Sequence, residues 1–248
     1  MSLTELAAMT FNIRTDRGLD GRNSWFLRRH ALVDAIREVD PDVAGLQEVR
    51  RIQLGFLRAQ LPEYGFLSAG RANGRQRGEH CPILYRHGRF DVVRWEVRWF
   101  SEDQTGRIAT LAQLTDRATG ARVCVANTHL DHRSAERRTN SAAALSVWLR
   151  AWEGPWIVLG DFNATAVEAG VATLLASGLR DALVQLPPRG AGAATAHRFT
   201  GGHDGVRIDH ILVSPAFEVV SSSIVRTTPN GRLPSDHWPV VALLRSGH

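Results

Sequence analysis

Short apolar runs bounded by Gly, Pro, Asp and Asn alternate along this chain with stretches whose apolar positions recur at helical spacing. The runs predict strands at 6–13, 42–47, 64–69 and 82–86 in the first third. Between them, Leu32, Ala35, Ile36 and Val39 mark a helix closed by Pro41, and Leu54, Leu57 and Leu61 a second one ended by Pro62. The middle is strand-rich, at 89–100, 107–115 and 121–129, with a tight turn at Thr119-Gly120. A helix follows over 134–152, with Ser141, Leu145, Trp148 and Trp152 on one face, then an all-apolar strand at 156–160 and a helix at 167–176. A Pro-, Gly- and Ala-rich loop at 186–205 is long enough to suggest a functional role. Strands close the chain at 206–214, 217–226 and 240–244.

Many strands with helical segments in each half predict an α/β fold of two sheets packed face to face with helices outside. The 248 residues fit one domain spanning 1–248, with no linker and no short-period repeat. No run has the apolar length of a membrane span. The first strand begins near Leu6, which leaves no secretory leader ahead of it in this numbering; a cytoplasmic monomer is expected.

Charge changes the picture little. The formal balance is +5, and all 30 basic residues are Arg. The arginines are scattered, with pairs at Arg28-Arg29, Arg50-Arg51 and Arg137-Arg138 but no long block, so they read as solvated surface rather than a nucleic-acid face. Cys81 and Cys124 form no disulfide framework and read as small buried hydrophobes.

The candidate chemistry lies at strand ends. Asp161 and Asn163 follow Ile157-Val158-Leu159-Gly160, and period two puts them on one side if the chain stays extended. An Asx-type turn leading into the next helix is an equal reading. Asp209 is an odd charge in an apolar run and needs a partner, which the imidazole of His237 supplies in one fixed tautomer. Adjacent Asp236 and His237 face opposite ways in an extended chain, so each would serve a different partner. Glu48 ends one strand and Asn12 another; with Asp236 they offer the oxygen donors that suit Mg²⁺. No thiolate cluster or His-rich spacing points to zinc. His129 ends a strand and joins the set, whereas His132 reads as the entry to a helix. His30, His87 and His197 lack such context and read as solvent-exposed.

Taken together and in this order, these motifs resemble the endonuclease/exonuclease/phosphatase superfamily, the DNase-I-like metal phosphoesterases, from Asn12 to His237. The resemblance implies a four-layer α/β sandwich of two mixed sheets flanked by helices. It also implies that Asn12, Glu48 and Asp236 form or support a site for Mg²⁺, with Mn²⁺ as a substitute. Asp209 would orient His237, while His129, Asp161 and Asn163 would hold phosphate oxygens and manage the attacking or leaving oxygen. Of the two candidate bases, Asp161 is favoured, with His237 as a charged donor to phosphate. Two features depart from relatives: Arg14 stands where DNA-repair members carry an acid, and the stretch 100–107 is short. The segment Gly78-Glu79-His80-Cys81-Pro82-Ile83 is similar to a bacterial branch, which would put Glu79 near the site.

The expected activity is hydrolysis of a phosphate mono- or diester, on a small molecule or lipid head group. A nuclease or a nucleotide or RNA phosphodiesterase is the alternative. A decayed binding module on the same scaffold is the reading from another class, and it fits poorly with Glu48, Asp161, Asp209 and His237 all being present. A generic DNA-binding domain lacks a recognition-helix signature.

Overall fold

A computed structural model describes residues 5–101 and 106–246. In chain order the elements are β1 (Leu6–Asn12), α1 (Trp25–Val39), β2 (Val43–Gln47), α2 (Arg51–Gln60), β3 (Tyr64–Leu67), β4 (Ile83–Arg86), β5 (Phe90–Trp99), β6 (Ile108–Asp116), β7 (Arg122–His129), α3 (Ala135–Arg150), β8 (Trp156–Asp161), α4 (Ala169–Ala176), β9 (Arg180–Asp181), β10 (Arg189–Gly190), β11 (Gly205–Val206), β12 (Asp209–Val213), β13 (Phe217–Ile224) and β14 (Val240–Ser246). One six-stranded sheet runs β13-β14-β1-β2-β4-β3 and the other β5-β6-β7-β8-β12-β9. Both are mixed: β1 is parallel to β2, and β7 to β8, amid antiparallel neighbours.

Period two sorts each central strand onto two cores. In β8, Ile157 and Leu159 enter the core between the sheets, while Trp156 and Val158 face α3 and α4. In β1, Leu6 and Ala8 point between the sheets, while Met9 and Phe11 meet Leu32 and Ile36 of α1. Strands buried on both faces read as unbroken apolar runs, which is why 156–160 shows no alternation. The order of layers is therefore helices, sheet, sheet, helices. Among the described residues, no helix is long and apolar enough to cross a membrane.

Several boundaries move. Helix α1 begins at Trp25, a full two turns before the expected repeat at Leu32, and ends at Asp40 in the left-handed conformation (φ 51°) just ahead of Pro41. The stop at Pro62 holds, since α2 ends at Gln60. Helix α3 is shorter than expected, capped by the Ser134 hydroxyl accepting from the Arg137 amide at 3.1 Å. Trp152 lies beyond it and packs on Trp156 instead. The loop at 186–205 is not wholly irregular, because β10 pairs with β11. The expected strand at 206–214 breaks at Arg207-Ile208, which places Asp209 at the start of β12 rather than inside it. The short stretch expected at 100–107 falls partly on residues 102–105, outside the described residues.

Candidate active site

The site is the polar end of the core between the sheets. The inward row of β8 runs Ile157, Leu159, Asp161, and that of β12 runs Val213, Ile211, Asp209. In β7 the row is Val123, Val125, Asn127, His129, and in β1 it is Leu6, Ala8, Thr10, Asn12. Asp161 pairs in register with both His129 and Asp209, so these three side chains sit on adjacent strands at one level. A layer of amides lies just beneath. Gln47 donates to Asn127 Oδ1 at 2.7 Å and to Thr10 Oγ1 at 3.0 Å, and Asn127 donates to the carbonyls of Leu46 and Pro82, both at 2.8 Å. Gly45 is required there, since a Cβ would fall 2.7 Å from the Asn127 amide carbon.

Six of the eight expected residues line one cleft of about 830 Å³: Glu48, His129, Asp161, Asn163, Asp236 and His237. Asn12 and Asp209 stand behind them, 1% and 0% exposed. Asn12 bridges the sheets, donating through Nδ2 to Asp161 Oδ2 at 2.9 Å and to Glu48 Oε1 at 3.2 Å. Its Oδ1 accepts from the Arg14 amide at 3.0 Å, which fixes the orientation of the carboxamide. Glu48 holds a left-handed backbone (φ 60°), a strained state for a non-glycine residue, and its Oε2 accepts from the Thr15 amide at 2.9 Å.

Asp161 and Asn163 do not lie along an extended strand. Asn163 is left-handed (φ 48°) and its amide donates to Asp161 Oδ1 at 2.9 Å, so the Asx turn forms. The turn and the cleft-facing role coexist. The Asn163 side chain donates to the Leu130 carbonyl at 3.1 Å, which ties the β8 turn to the end of β7.

Asp236 and His237 do serve different partners. His237 Nδ1 lies 2.8 Å from Asp209 Oδ2, while Asp236 Oδ2 faces Arg14 Nη1 at 3.8 Å. Burial alone would lower the His237 imidazole. The Asp209 carboxylate, with the charges of Asp161 and Asp236, overcomes it and raises the ring to about 10. Burial and the Asp209 charge push Asp161 up to about 7, against His237 and Asn12, which favour its ionised form. Burial also raises Asp236; the Glu48 charge works in the same sense. His129 is lowered well below its usual value by burial and by the positive charge of Arg107. Arg107 can only donate, so the 2.8 Å contact from its Nη1 makes His129 Nδ1 an acceptor. The single ring proton is then on Nε2, which points to Asp161 Oδ2 at 3.5 Å.

Two donor sets are available to a cation. Asp161, Asp209 and His237 bring one ligand atom each within 4.8 Å of one another. In that set the imidazolium is itself the counter-ion of the carboxylates, and Nδ1 is spent on Asp209. Glu48 and Asp236 present carboxylate oxygens, with the Asn12 amide nitrogen donating to Glu48; the Glu48 charge raises Asp236, against the positive charges of His237 and of Arg14 at 3.8 Å. Hard oxygen donors of this kind fit Mg²⁺.

Several residues that build or line the cleft are not legible as such from the chain. Arg28 is fully buried and donates to the carbonyls of Ile13, Arg14, Asn23 and Pro234 at 2.7–3.0 Å. It ties the loop after β1 to the segment carrying Asp236. Arg107 immediately precedes β6 and gives no sequence signal of its role. Glu79 does line the cleft, as the resemblance implied, where it pairs with Arg71 at 3.3 Å. His132 lines it too, exposed beside Arg107. His197, expected in solvent, is instead 5% exposed: it packs on Trp238 with ring centres 4.2 Å apart and the planes tilted by 30°, and burial lowers it to about 4. His30 and His87 are exposed as expected. Both cysteines are buried and free.

Two mixed sheets flanked by helices, with the polar ends of their facing strands forming the cleft, define the DNase-I-like architecture. Residues 9–237 match the endonuclease/exonuclease/phosphatase family, and the chain belongs to it. An endonuclease/exonuclease/phosphatase family protein of Bacteroides thetaiotaomicron is 28% identical and superposes with a TM-score of 0.92, the match covering 100% of both chains. A mannosyl-6-phosphatase of the same species is 29% identical with a TM-score of 0.89, over 96% of this chain and 99% of that one. Nocturnin of Drosophila melanogaster is 29% identical over 172 residues, 61% of this chain and 26% of its own length, so the chain spans only a minor part of that relative.

Proposed function

We propose that this protein is a Mg²⁺-dependent hydrolase of phosphate esters, acting by in-line attack of water on phosphorus. The observation that carries the reading is the split between two titratable groups in one cleft wall. Asp161 is raised towards neutrality, where a carboxylate can take a proton, while His237 is held positive by Asp209. Groups whose environments drive them apart in this way divide acid and base work.

In this reading Glu48 and Asp236 hold the cation, and Asn12 braces Glu48. When bound, Mg²⁺ places positive charge against the non-bridging phosphate oxygens. Asp161 orients the attacking water and accepts its proton. His237 donates a charged hydrogen bond to a phosphoryl oxygen, and His129 a neutral one through Nε2, so charge that develops in the transition state meets donors already in place. Asn163 keeps the β8 turn closed over Leu130 and thereby fixes Asp161. The substrate expected is a small phosphorylated molecule or a lipid head group; the likeness to a mannosyl-6-phosphatase supports a small one.

The test is turnover of a panel of phosphate mono- and diesters by the purified chain in Mg²⁺, beside His237→Ala and Asp161→Ala. Each variant should lose about 10²–10⁴-fold while keeping the fold. No turnover of any ester by the unsubstituted chain, or near-normal rates in the variants, would remove this reading.

A further inference from the structure

Four arginines from three separate segments, Arg17, Arg50, Arg51 and Arg77, gather in one groove. This groove, of about 800 Å³, is lined by Asp16, Arg17, Arg50, Arg51, Ile52, Ala72, Gln76, Arg77 and Gly78. Among the described residues that line it, only Asp16 opposes the four guanidinium groups, and it faces Arg50 at 3.4 Å. Among the described residues, no ion pair reaches Arg17, Arg51 or Arg77, and all three are exposed. Of the four arginines that line the catalytic cleft, three are matched, Arg14 with Asp20 and both Arg71 and Arg107 with Glu79; among the described residues no ion pair reaches the fourth, Arg198. Like charges gathered without acids repel one another, and an anion relieves that repulsion.

The same chain segments contribute neighbouring residues to the groove and to the cleft. Thr15 lines the cleft and Asp16 the groove; Glu48 lines the cleft and Arg50 the groove; Arg71 and Glu79 line the cleft, with Ala72 and Gly78 in the groove. The segment carrying Arg77 is built in advance of any ligand. Asn73 Oδ1 accepts from the amides of Arg75 and Arg77, each at 3.0 Å, and the Ala72 amide donates to the Arg77 carbonyl at 3.0 Å. Gly78 closes the turn at φ 88°, where a Cβ would press on the Ala72 amide at 2.9 Å. The amino end of α2, at Arg51, adds its partial positive charge.

We infer that this groove is a second anion subsite, and that the substrate carries a second phosphate, or another strongly anionic group, beyond the ester cleaved in the cleft. The inference rests on the hydrolase reading and narrows its substrate class to bis-anionic esters. Arg51 and Arg77 act as specificity-determining residues: they bind the group that does not react, so they govern KM and leave kcat alone.

The probes are α,ω-alkanediol bisphosphates of increasing chain length and the matching alkyl monophosphates, so that no base or sugar contributes. Calorimetry in EDTA measures binding, and phosphate release in Mg²⁺ measures turnover, for the unsubstituted chain and for Arg51→Ala/Arg77→Ala. At one span the bisphosphate should bind at least about tenfold tighter than its monophosphate, and the double variant should erase that preference while hydrolysing the monophosphate at the original rate. Equal binding of both probes by the unsubstituted chain, or a preference that survives in the variant, overturns the subsite. Failure of the hydrolase reading looks different: no ester turns over in Mg²⁺, whatever the calorimetry reads.

Discussion

The Asn12 carboxamide donates to Asp161 across the two sheets at 2.9 Å, joining residues 149 positions apart, and the same nitrogen reaches Glu48 at 3.2 Å. One amide therefore links the proposed base to the proposed cation ligand. It favours the ionised form of Asp161 in surroundings where burial and Asp209 oppose it. This link depends on the register of β1: a slip by one residue would turn the carboxamide to the helix side.

Replacing Asn12 by Asp sets a third carboxylate against Asp161 and Glu48. The acid limb of the pH–rate profile should then move up by about one unit or more, with kcat/KM down roughly 10–100-fold below that limb. An unmoved limb would show that Asn12 does not control the base.

Asp209→Asn removes the charge that keeps His237 protonated. The imidazole would then lie under burial, which lowers it, opposed only by the more weakly acting charges of Asp161 and Asp236. The alkaline limb, expected near 10 for the unsubstituted protein, should fall into the neutral range, and the maximal rate should drop about 10²–10⁴-fold. A profile whose alkaline limb stays in place would separate Asp209 from the charge of His237.

Both shifted groups tie stability to pH in the same sense. Asp161, raised to about 7, stabilises the fold when protonated, and that contribution is lost as pH climbs from ~4 towards 7. His237, raised to about 10, contributes fully below ~6.5, and the contribution is lost as pH rises through 10. In EDTA, the melting temperature should fall from mildly acid to alkaline pH. Asp161→Asn should abolish the first part of that fall, melting about 2–4 °C higher than the unsubstituted chain at slightly alkaline pH. Thermal scans in buffers of constant ionic strength read the difference, and parallel curves for the two proteins would contradict it.

Arg28→Met deletes a buried guanidinium and leaves the carbonyls of Ile13, Arg14, Asn23 and Pro234 without their donor. Each unpaired buried acceptor costs about 1–3 kcal/mol. The melting temperature should fall by about 10 °C or more, and Mg²⁺ should bind more weakly because the loops carrying Asp236 and following Asn12 lose their tie. Arg28→Lys should rescue little, since an ammonium cannot span four carbonyls as the guanidinium fork does. Near-normal melting in both variants would mean that the carbonyls find other partners.

Much of this arrangement is legible in the chain because sheet geometry is periodic. Asn12, His129 and Asp161 each occupy the last inward position of an apolar run, so their alignment follows from strand assignments alone, whereas Asp209 opens its strand and joins them through the antiparallel pairing of β12 with β8. The Asp209–His237 pair was legible because a charge in an apolar run must be answered. What escaped the sequence acts through space rather than along it. Arg28 sits in an ordinary-looking amphipathic helix, and nothing nearby announces that its partners are carbonyls of three other segments. Asn127 and Gln47 meet only once the sheets face each other. His197 has no local apolar run; Trp238 supplies its burial from the far side of a loop. Arg17, Arg51 and Arg77 belong to separate segments, so their gathering is invisible to any count of adjacent charges.

The most direct measurement is release of phosphate from an ester by the EDTA-treated protein as Mg²⁺ is added back, for the unsubstituted chain and for Glu48→Gln. The account predicts no turnover before addition, full recovery on titration, and a Glu48→Gln curve displaced to at least about tenfold higher Mg²⁺. Turnover that ignores EDTA, or superimposable titrations for the two proteins, would contradict it.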